Sequence, residues 1–232
     1  MQYRQIKLIW VAYGRTNKYH SIIMRNKLFK VKNKLIKCCV MVETRPISNL
    51  KEIIVDKHLR FIPKDWDLIL YLSNENKDVL LGWEPDRKVE IRIIDGQNFS
   101  ISKYNEMLTS LKFWDEIPAD KILVFQSDSE ILRNGLEDYL ENDWYGAVWP
   151  WQPLLGGNGG FSLRSRKTMI DIINEVQFDP SKHGHEDVYF CNHMHLVNGN
   201  MAPRDVCKNF STETIMGFGS WGAHDIDSWL TK

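Results

Sequence analysis

Acidic residues that directly follow an apolar run are the first chemical feature of the chain. Segment 121–130 reads KILVFQSDSE, so Asp128 and Glu130 come just after four apolar residues. Such a run is typical of a buried parallel strand, and open α/β sheets bind ligands beyond the carboxyl ends of their strands. Two carboxylates spaced i, i+2 can hold a hard divalent cation, which in turn can hold a diphosphate. The alternative is that these polar residues only cap a turn.

A second acidic pair opens a predicted helix in the motif HGHED at 183–187. A carboxylate held at a helix start, such as Glu186 or Asp187, is well placed to act as a general base. The alternative is favourable capping of the helix dipole without chemistry. No thiolate accompanies His185, and the spacing around Glu186 does not match that of a zincin-type helix.

A Gly-rich segment, GGNGG at 156–160, and a late histidine complete the candidate features. The segment lacks the Lys and Ser/Thr of a phosphate-binding P-loop, and it does not follow the first strand as a dinucleotide fingerprint would. Its glycines can let the backbone approach a ligand closely, or they can form only a flexible loop. His224 can supply a nitrogen ligand to a metal already held by carboxylates, or be a surface residue.

The surrounding sequence predicts the elements that must position these residues. Apolar and β-branched runs predict strands at 35–42, 67–72, 89–94, 123–126, 144–149 and 161–163. Periodicity predicts helices at 49–59, capped by Asn49, at 102–111, capped by Ser102, and at 135–142, 166–176 and 186–197. Strands alternate with helices in the first half, which indicates an α/β fold with a mainly parallel central sheet.

Composition limits the class of protein. The 232 residues are 43% hydrophobic, enough for a sizeable core, and no apolar run is long enough to span a bilayer. The four cysteines show no CxxC spacing, which favours a reducing, cytoplasmic compartment over a zinc site or a disulfide framework. We predict two parts, a basic N-terminal extension at 1–34 and a single domain at 35–232.

Charge is unevenly distributed, because ten Lys or Arg residues and no Asp or Glu precede Glu43. A basic arm of this kind can contact nucleic acid or anionic lipid, or it can be a solvated tail. We expect no nucleic-acid partner and leave open a peripheral membrane contact through the extension.

Taken in order, these features resemble the GT-A-fold glycosyltransferases, which commonly carry an acidic metal motif, a Gly-rich acceptor loop, an xED motif with the base and a C-terminal metal-binding His. The resemblance is closer to a family of largely uncharacterised glycosyltransferase-like domains. It rests on VETR at 42–45, FQSDS at 125–129, GNGGFSLR at 157–164 and HEDV at 185–188, and it covers residues 38 to 225.

This resemblance implies a GT-A-like domain that binds a nucleotide with its first half and an acceptor with its second. It implies transfer of a sugar from a nucleotide-sugar donor to the hydroxyl of a glycan or other acceptor. Asp187 would be the base of an inverting reaction, and Glu186 would orient it or bind acceptor hydroxyls. Mn²⁺ or Mg²⁺ would bind Asp128, with Glu130 and His224 as further ligands.

The register of the acidic motif stays open, because Gln126-x-Asp128 leaves one metal carboxylate and Asp128-x-Glu130 leaves two. The residues implied for the donor nucleotide are Val42, Glu43, Thr44, Arg45, Gln126 and Ser127. Arg45 could pair with a phosphate or instead hold a structural carboxylate. The residues implied for the acceptor are Gly157, Asn158, Gly159, Gly160, Trp149, Trp151 and Trp221, with core packing an equal alternative for each Trp.

Two other classes of protein remain open. A nucleotidyltransferase also needs carboxylates and a metal, but it would usually carry a basic Gly-rich loop near the first strand, and none is present. A non-catalytic module that binds glycans or nucleotide sugars would keep the binding residues without the turnover.

Overall fold

A six-stranded sheet is the central element of the fold. The computed structural model describes residues 35–95, 98–152 and 157–225, so the predicted extension 1–34 and Gly156 lie outside the described residues. The strands are β1 (Lys37–Glu43), β2 (Asp67–Leu72), β3 (Val89–Ile93), β4 (Lys121–Phe125), β5 (Ser129–Ile131), β6 (Trp144–Gly146), β7 (Phe161–Ser165), β8 (Ser211–Thr212) and β9 (Gly222–His224).

The strand order in the large sheet is β3-β2-β1-β4-β7-β6. Strands β1 to β4 are parallel, whereas β7 is antiparallel to both of its neighbours. The predicted mainly parallel sheet is therefore confirmed. After β1 the chain builds outwards to β2 and β3 and then returns to the other side of β1 with β4. The strand order thus switches between β1 and β4, the place where open α/β sheets bind ligands.

The central strands alternate their side chains between two apolar cores, one on each face of the sheet. Cys39 and Met41 of β1 belong to one core, and Cys38 and Val40 belong to the other. This is the two-residue period of a strand. Both faces are covered, which explains why the sequence of these strands is almost continuously apolar.

Helices cover both faces of the sheet. They are α1 (Leu50–Glu52), α2 (Asn74–Val79), α3 (Ile101–Leu108), α4 (Leu111–Asp115), α5 (Arg166–Glu175), α6 (Pro180–His183), α7 (Glu186–His193) and α8 (Arg204–Phe210). A π-helical segment spans Ile53–His58, and 3-10 segments span Leu59–Phe61, Leu136–Tyr139 and Met194–Val197. Among the described residues, none of these helices has the length and apolar character needed to cross a bilayer.

The helix predicted at 49–59 is present as helical structure over residues 50–61, but it is not a regular α-helix, because this stretch passes from α1 into the π-helical segment and then into a 3-10 turn. Asn49 makes no side-chain cap. The π segment begins with three consecutive β-branched residues, which crowd an α-helical turn. Its wider turn brings the Nδ1 atom of His58 to 3.0 Å from the carbonyl oxygen of Ile53, so the buried imidazole gains a partner.

Other predicted boundaries shift for local reasons. Ser100, not Ser102, caps α3 by accepting a hydrogen bond from the backbone N–H of Lys103. The helix predicted at 135–142 is only a short 3-10 turn, and the one predicted at 186–197 ends its α-helical part at His193. The strand predicted at 144–149 ends at Gly146, since the Gly-rich loop packs against the chain there.

A second, three-stranded sheet joins the last described residues to the end of β4. Strand β9 pairs antiparallel with β5 and parallel with β8. In this register His224 lies opposite Ser129, the residue that follows Asp128. Two segments almost a hundred residues apart in sequence therefore meet at one place.

Candidate active site

A cavity of about 600 Å³ lies at the carboxyl ends of β1 and β4, within the size range of small-molecule sites. The predicted site residues that line it are Val42, Glu43, Thr44, Arg45, Gln126, Asp128, Trp149, Trp151, Asn158, Gly160, Glu186, Asp187 and His224. Those that are not among its lining residues are Ser127, Glu130, Gly157, Gly159 and Trp221. The two acidic motifs therefore share one cavity.

The first wall of the cavity is a polar network at the ends of β1 and β4. Glu43 is buried, and its carboxylate accepts hydrogen bonds from Arg45 Nε (3.0 Å) and Nη2 (2.7 Å). Ser127 donates to Glu43 (2.7 Å) and accepts from Arg45 (3.0 Å). Ser127 thus lies behind the wall and fixes these two side chains, while Arg45 keeps more than half of its side chain exposed at the cavity.

Asp128, Gln126 and His224 converge at one point of the cavity. His224 Nε2 lies 3.4 Å from Asp128 Oδ1 and 3.2 Å from Gln126 Oε1. Burial acts to raise the pKa of Asp128, but the contact with His224 and the charge of Arg45 lower it below its usual value. Burial likewise acts to lower the pKa of His224, but Asp128 and Glu213 raise it to about 9.

Glu213 is a site residue that the sequence analysis missed. Its Oε1 atom lies 3.4 Å from His224 Nδ1 and accepts a hydrogen bond of 3.0 Å from Asn158 Nδ2. Carboxylates commonly orient histidines from the side opposite a bound ligand in this way. Because Glu213 comes just after the two-residue strand β8, no spacing pattern connects it with His224.

The structure does not bring Glu130 to Asp128. In the β5–β9 ladder Glu130 is paired with Ala223, whereas Ser129 is paired with His224. Successive side chains of a strand point to opposite faces, so Glu130 and His224 lie on different sides of this small sheet. The geometry therefore favours the Gln126-x-Asp128 register, with one carboxylate, over Asp128-x-Glu130.

The second wall is the start of α7. Glu186 is buried and forms a two-bond ion pair with Arg164, with N–O distances of 2.7 and 2.9 Å. Its backbone N–H donates to Asn105 Oδ1 (3.2 Å), which caps α7 from α3. Both carboxylate oxygens of Glu186 are thus occupied by Arg164, which favours the orienting role over direct binding of an acceptor. Sequence reasoning gave no role to Arg164 or Asn105.

The Gly-rich loop connects the two walls. The N–H of Gly159 donates to Asp187 Oδ2 (3.0 Å), and the N–H of Gly160 donates to Asn158 Oδ1 (2.7 Å). A Cβ atom on Gly160 would come within 2.8 Å of Gln126 Oε1 and closer still to His224 Nε2. The residue that contacts Asp187 and the residue that lies against His224 are thus neighbours in the chain, with Cα atoms about 3.8 Å apart.

The three tryptophans predicted to stack on sugars have different positions. Trp149 and Trp151 line the cavity and stack on each other, with ring centroids 4.9 Å apart. Trp151 is 59% exposed, so its outer face is open to a ligand. Trp221 is fully buried and stacks on Phe161, which makes it a core residue and not part of a sugar-binding surface.

The described residues contain no group of three or more His, Cys, Asp or Glu side chains arranged to hold a metal ion. Asp128, His224 and Gln126 offer one carboxylate, one imidazole and one amide oxygen. Apart from the His224 contact, Asp128 Oδ1 is buried without a hydrogen-bond partner in the part of the chain that the structure describes. Such a set of oxygen and nitrogen donors fits a divalent cation that also binds oxygens of a ligand or water.

A family model described as "Protein of unknown function (DUF5672)" matches residues 88–222, more than half of the chain. The chain belongs to this family. The DUF5672 match includes Asp128, the Gly-rich loop and the start of α7, whereas Glu43 precedes it and His224 follows it. No curated protein matches the chain.

This DUF5672 chain also resembles a solved structure of another protein in its fold. It is similar to the mannosyltransferase PcManGT from Pyrobaculum calidifontis, which was solved in complex with GDP-Man and Mn²⁺, with a TM-score of 0.52 and 13% sequence identity. The match covers 73% of the DUF5672 chain and 55% of the mannosyltransferase chain, so it spans about half of that protein. The likeness shows the fold, and the predicted GT-A-like architecture is confirmed.

Proposed function

We propose that the protein is a glycosyltransferase that moves a sugar from a nucleotide-sugar donor to an acceptor hydroxyl. The observation that carries this proposal is that Asp128 and Asp187 line the same cavity. Segments 42–45, 126–128, 149–151, 158–160 and 185–188 meet there with His224, at the switch in strand order where ligands bind in α/β folds. The similar mannosyltransferase, solved with GDP-Man, supports the same class of donor.

The charges around the cavity support a cation-assisted donor site. Glu43 is paired with Arg45 and Glu186 with Arg164. Three carboxylates remain at or beside the cavity, those of Asp128, Asp187 and Glu213, against His185 and His224. A dianionic diphosphate would be repelled by this excess of carboxylates unless a cation accompanied it.

Asp128, His224 and Gln126 are the residues that would hold Mn²⁺ or Mg²⁺. A divalent cation bound there would supply the positive charge that stabilises the departing diphosphate. Arg45, which is partly exposed at the same end of the cavity, would bind a phosphate oxygen. Trp149 and Trp151 would form an aromatic platform for the apolar face of a sugar.

Asp187 would act as the general base. Its carboxylate accepts the proton of the acceptor hydroxyl while the acceptor oxygen bonds to the anomeric carbon of the donor sugar. The bond from that carbon to the diphosphate oxygen breaks, and its electron pair leaves with the nucleoside diphosphate. If Asp187 faces the side of the sugar opposite the diphosphate, this single displacement inverts the anomeric configuration.

The test is a panel of UDP-, GDP- and CMP-sugars with Mn²⁺, first by thermal shift and then by transfer or hydrolysis. We expect release of a nucleoside diphosphate or monophosphate and an inverted product in anomeric NMR. Asp187→Asn should keep its fold and donor binding but lose at least about 100-fold in turnover, because a general base contributes that much. Asp205→Asn, at an acidic residue 93% exposed on α8, is the control and should leave turnover unchanged.

Several outcomes would contradict the proposal. Donor binding without turnover in the wild-type protein would favour a non-catalytic binding module, and release of pyrophosphate from a nucleoside triphosphate would favour a nucleotidyltransferase. Retention of the anomeric configuration in the product would exclude the single displacement. A wild-type rate in Asp187→Asn would remove Asp187 from the role of base.

A further inference from the structure

Arg164 carries a fully buried positive charge that the reaction described above does not use. Its guanidinium forms the two-bond ion pair with Glu186 and lies 4.2 Å from the centroid of the Trp144 ring. A buried ion pair usually adds little to stability, because removing both charges from water costs about as much as their attraction returns. The arrangement therefore calls for a role other than stability.

The same guanidinium also holds the Gly-rich loop. Arg164 Nη2 donates to the carbonyl oxygen of Gly159 (2.9 Å), and Arg164 Nε donates to Ser162 Oγ (2.8 Å). The Ser162 hydroxyl donates to the same Gly159 carbonyl (2.8 Å). The N–H of Gly159 in turn donates to Asp187 Oδ2 (3.0 Å). Arg164 is thus bound both to the residue before Asp187 and to the residue whose N–H holds the Asp187 carboxylate.

The space around Gly159 shows how closely these groups fit. A Cβ atom at Gly159 would lie 2.5 Å from Glu186 Oε1, 2.7 Å from Arg164 Nη2 and 2.8 Å from Asp187 Cβ. Only glycine allows the loop backbone to approach both the ion pair and Asp187 at once. A shift of the guanidinium would therefore move the loop and the carboxylate together.

We propose that Arg164 is a positioning residue that fixes the Asp187 carboxylate in the cavity by locking Gly159 and Glu186 together. The inference rests on the proposed function for its catalytic consequence, whereas the positioning itself is a property of the fold. Arg164 does not line the cavity, so it acts through Asp187 and not on a substrate. The planar, two-pronged guanidinium is needed because a lysine ammonium cannot donate to Glu186 and Gly159 in the same geometry.

The experiment compares Arg164→Lys with wild type in two measurements. In the first, kcat for transfer should fall about 100-fold while KM for the donor is unchanged, because a small misplacement of a catalytic group costs that much. In the second, the Gly159 amide signal in ¹H–¹⁵N NMR should move towards its position in Asp187→Asn, where the carboxylate acceptor is absent. Arg87→Lys is the matched control, since Arg87 is also a buried arginine that donates to backbone carbonyls, of Leu59 and Ile62, away from the cavity.

A double variant keeps the test decisive if Arg164→Lys does not fold. Replacing the pair by Arg164→Met and Glu186→Met removes both buried charges, which is often neutral for stability, and should give the same two changes. A folded variant with wild-type kcat and an unmoved Gly159 signal would overturn the proposal. If wild type has no turnover but the Gly159 signal still depends on Arg164, the proposed function fails and the positioning role stands.

Discussion

At the scale of single residues, two carboxylates of the cavity have different surroundings and can therefore have different chemical roles. Asp128 lies beside His224 and Gln126, whereas Asp187 is held by the backbone of Gly159. In the proposed reaction, the first arrangement would present oxygen and nitrogen atoms to a cation, and the second would leave a carboxylate at the wall where an acceptor arrives.

The first prediction concerns the metal register. Asp128→Asn should weaken Mn²⁺ binding by more than about tenfold, since even partners of metal ligands contribute that much. Glu130→Gln should have no effect, because Glu130 is paired with Ala223 on the opposite face of β5 from His224. The measurement is a titration with Mn²⁺ in the presence of GDP or UDP, in which water proton relaxation detects the bound metal. Equal losses in the two variants would restore the Asp128-x-Glu130 register.

At the scale of elements, the site depends on contacts between parts of the chain that are distant in sequence. Strand β9 carries His224 to the residue after Asp128, and Asn105 of α3 caps the start of α7. The position of Asp187 thus depends on an amide from a helix some eighty residues earlier.

The second prediction tests this cap. Asn105→Ala should lower the free energy of unfolding by about 1 kcal/mol, the usual cost of losing a helix cap, and should also reduce transfer. Ser100→Ala, which removes the cap of α3 itself, is the control: it should cost a similar free energy without reducing transfer. Denaturant unfolding and initial rates measure the two effects. If both variants reduced transfer equally, the link between Asn105 and the site would be lost.

These elements also show what the sequence can and cannot predict. Strands β1, β2 and β4 and the residues just after them were predictable because apolar runs and polar ends are local signals. The side on which Glu130 points was not, since it depends on a three-residue strand pairing with β9. The Arg164–Glu186 pair and the contact of Glu213 with His224 were equally hidden, because burial and tertiary pairing decide them. Trp221 was ambiguous because core and sugar-binding tryptophans have the same local sequence signal.

At the scale of the whole molecule, His58 links the pH of the solution to the stability of the fold. It is buried at the end of the π-helical segment, stacks on Phe125 with ring centroids 4.3 Å apart and lies 3.0 Å from Ser129 Oγ. Burial is the main cause that lowers the pKa of His58 from 6.5 to about 4. Between these values the unfolded chain binds a proton that the folded chain does not, so acid favours unfolding.

The third prediction follows from the lowered pKa of His58. The stabilising contribution of neutral His58 is fully present above pH 6.5 and is lost as the pH falls towards 4. The loss in the free energy of unfolding should be about 3 kcal/mol, from the shift in pKa. Denaturant unfolding across this pH range should show that loss in wild type relative to His58→Phe, in which the carboxylates titrate as before. Parallel curves for the two proteins would contradict it.

The stacked indoles of Trp149 and Trp151 give the protein its own optical reporter. Of the other tryptophans in the described part of the chain, Trp66, Trp114, Trp144 and Trp221 are fully buried and Trp83 does not line the cavity, so their emission should respond little to a molecule bound there. A compound that covers Trp151 would displace water from an indole face and shift its fluorescence to shorter wavelength. Unlabelled protein could then be screened against candidate donors and acceptors in a fluorimeter, before any product has been identified.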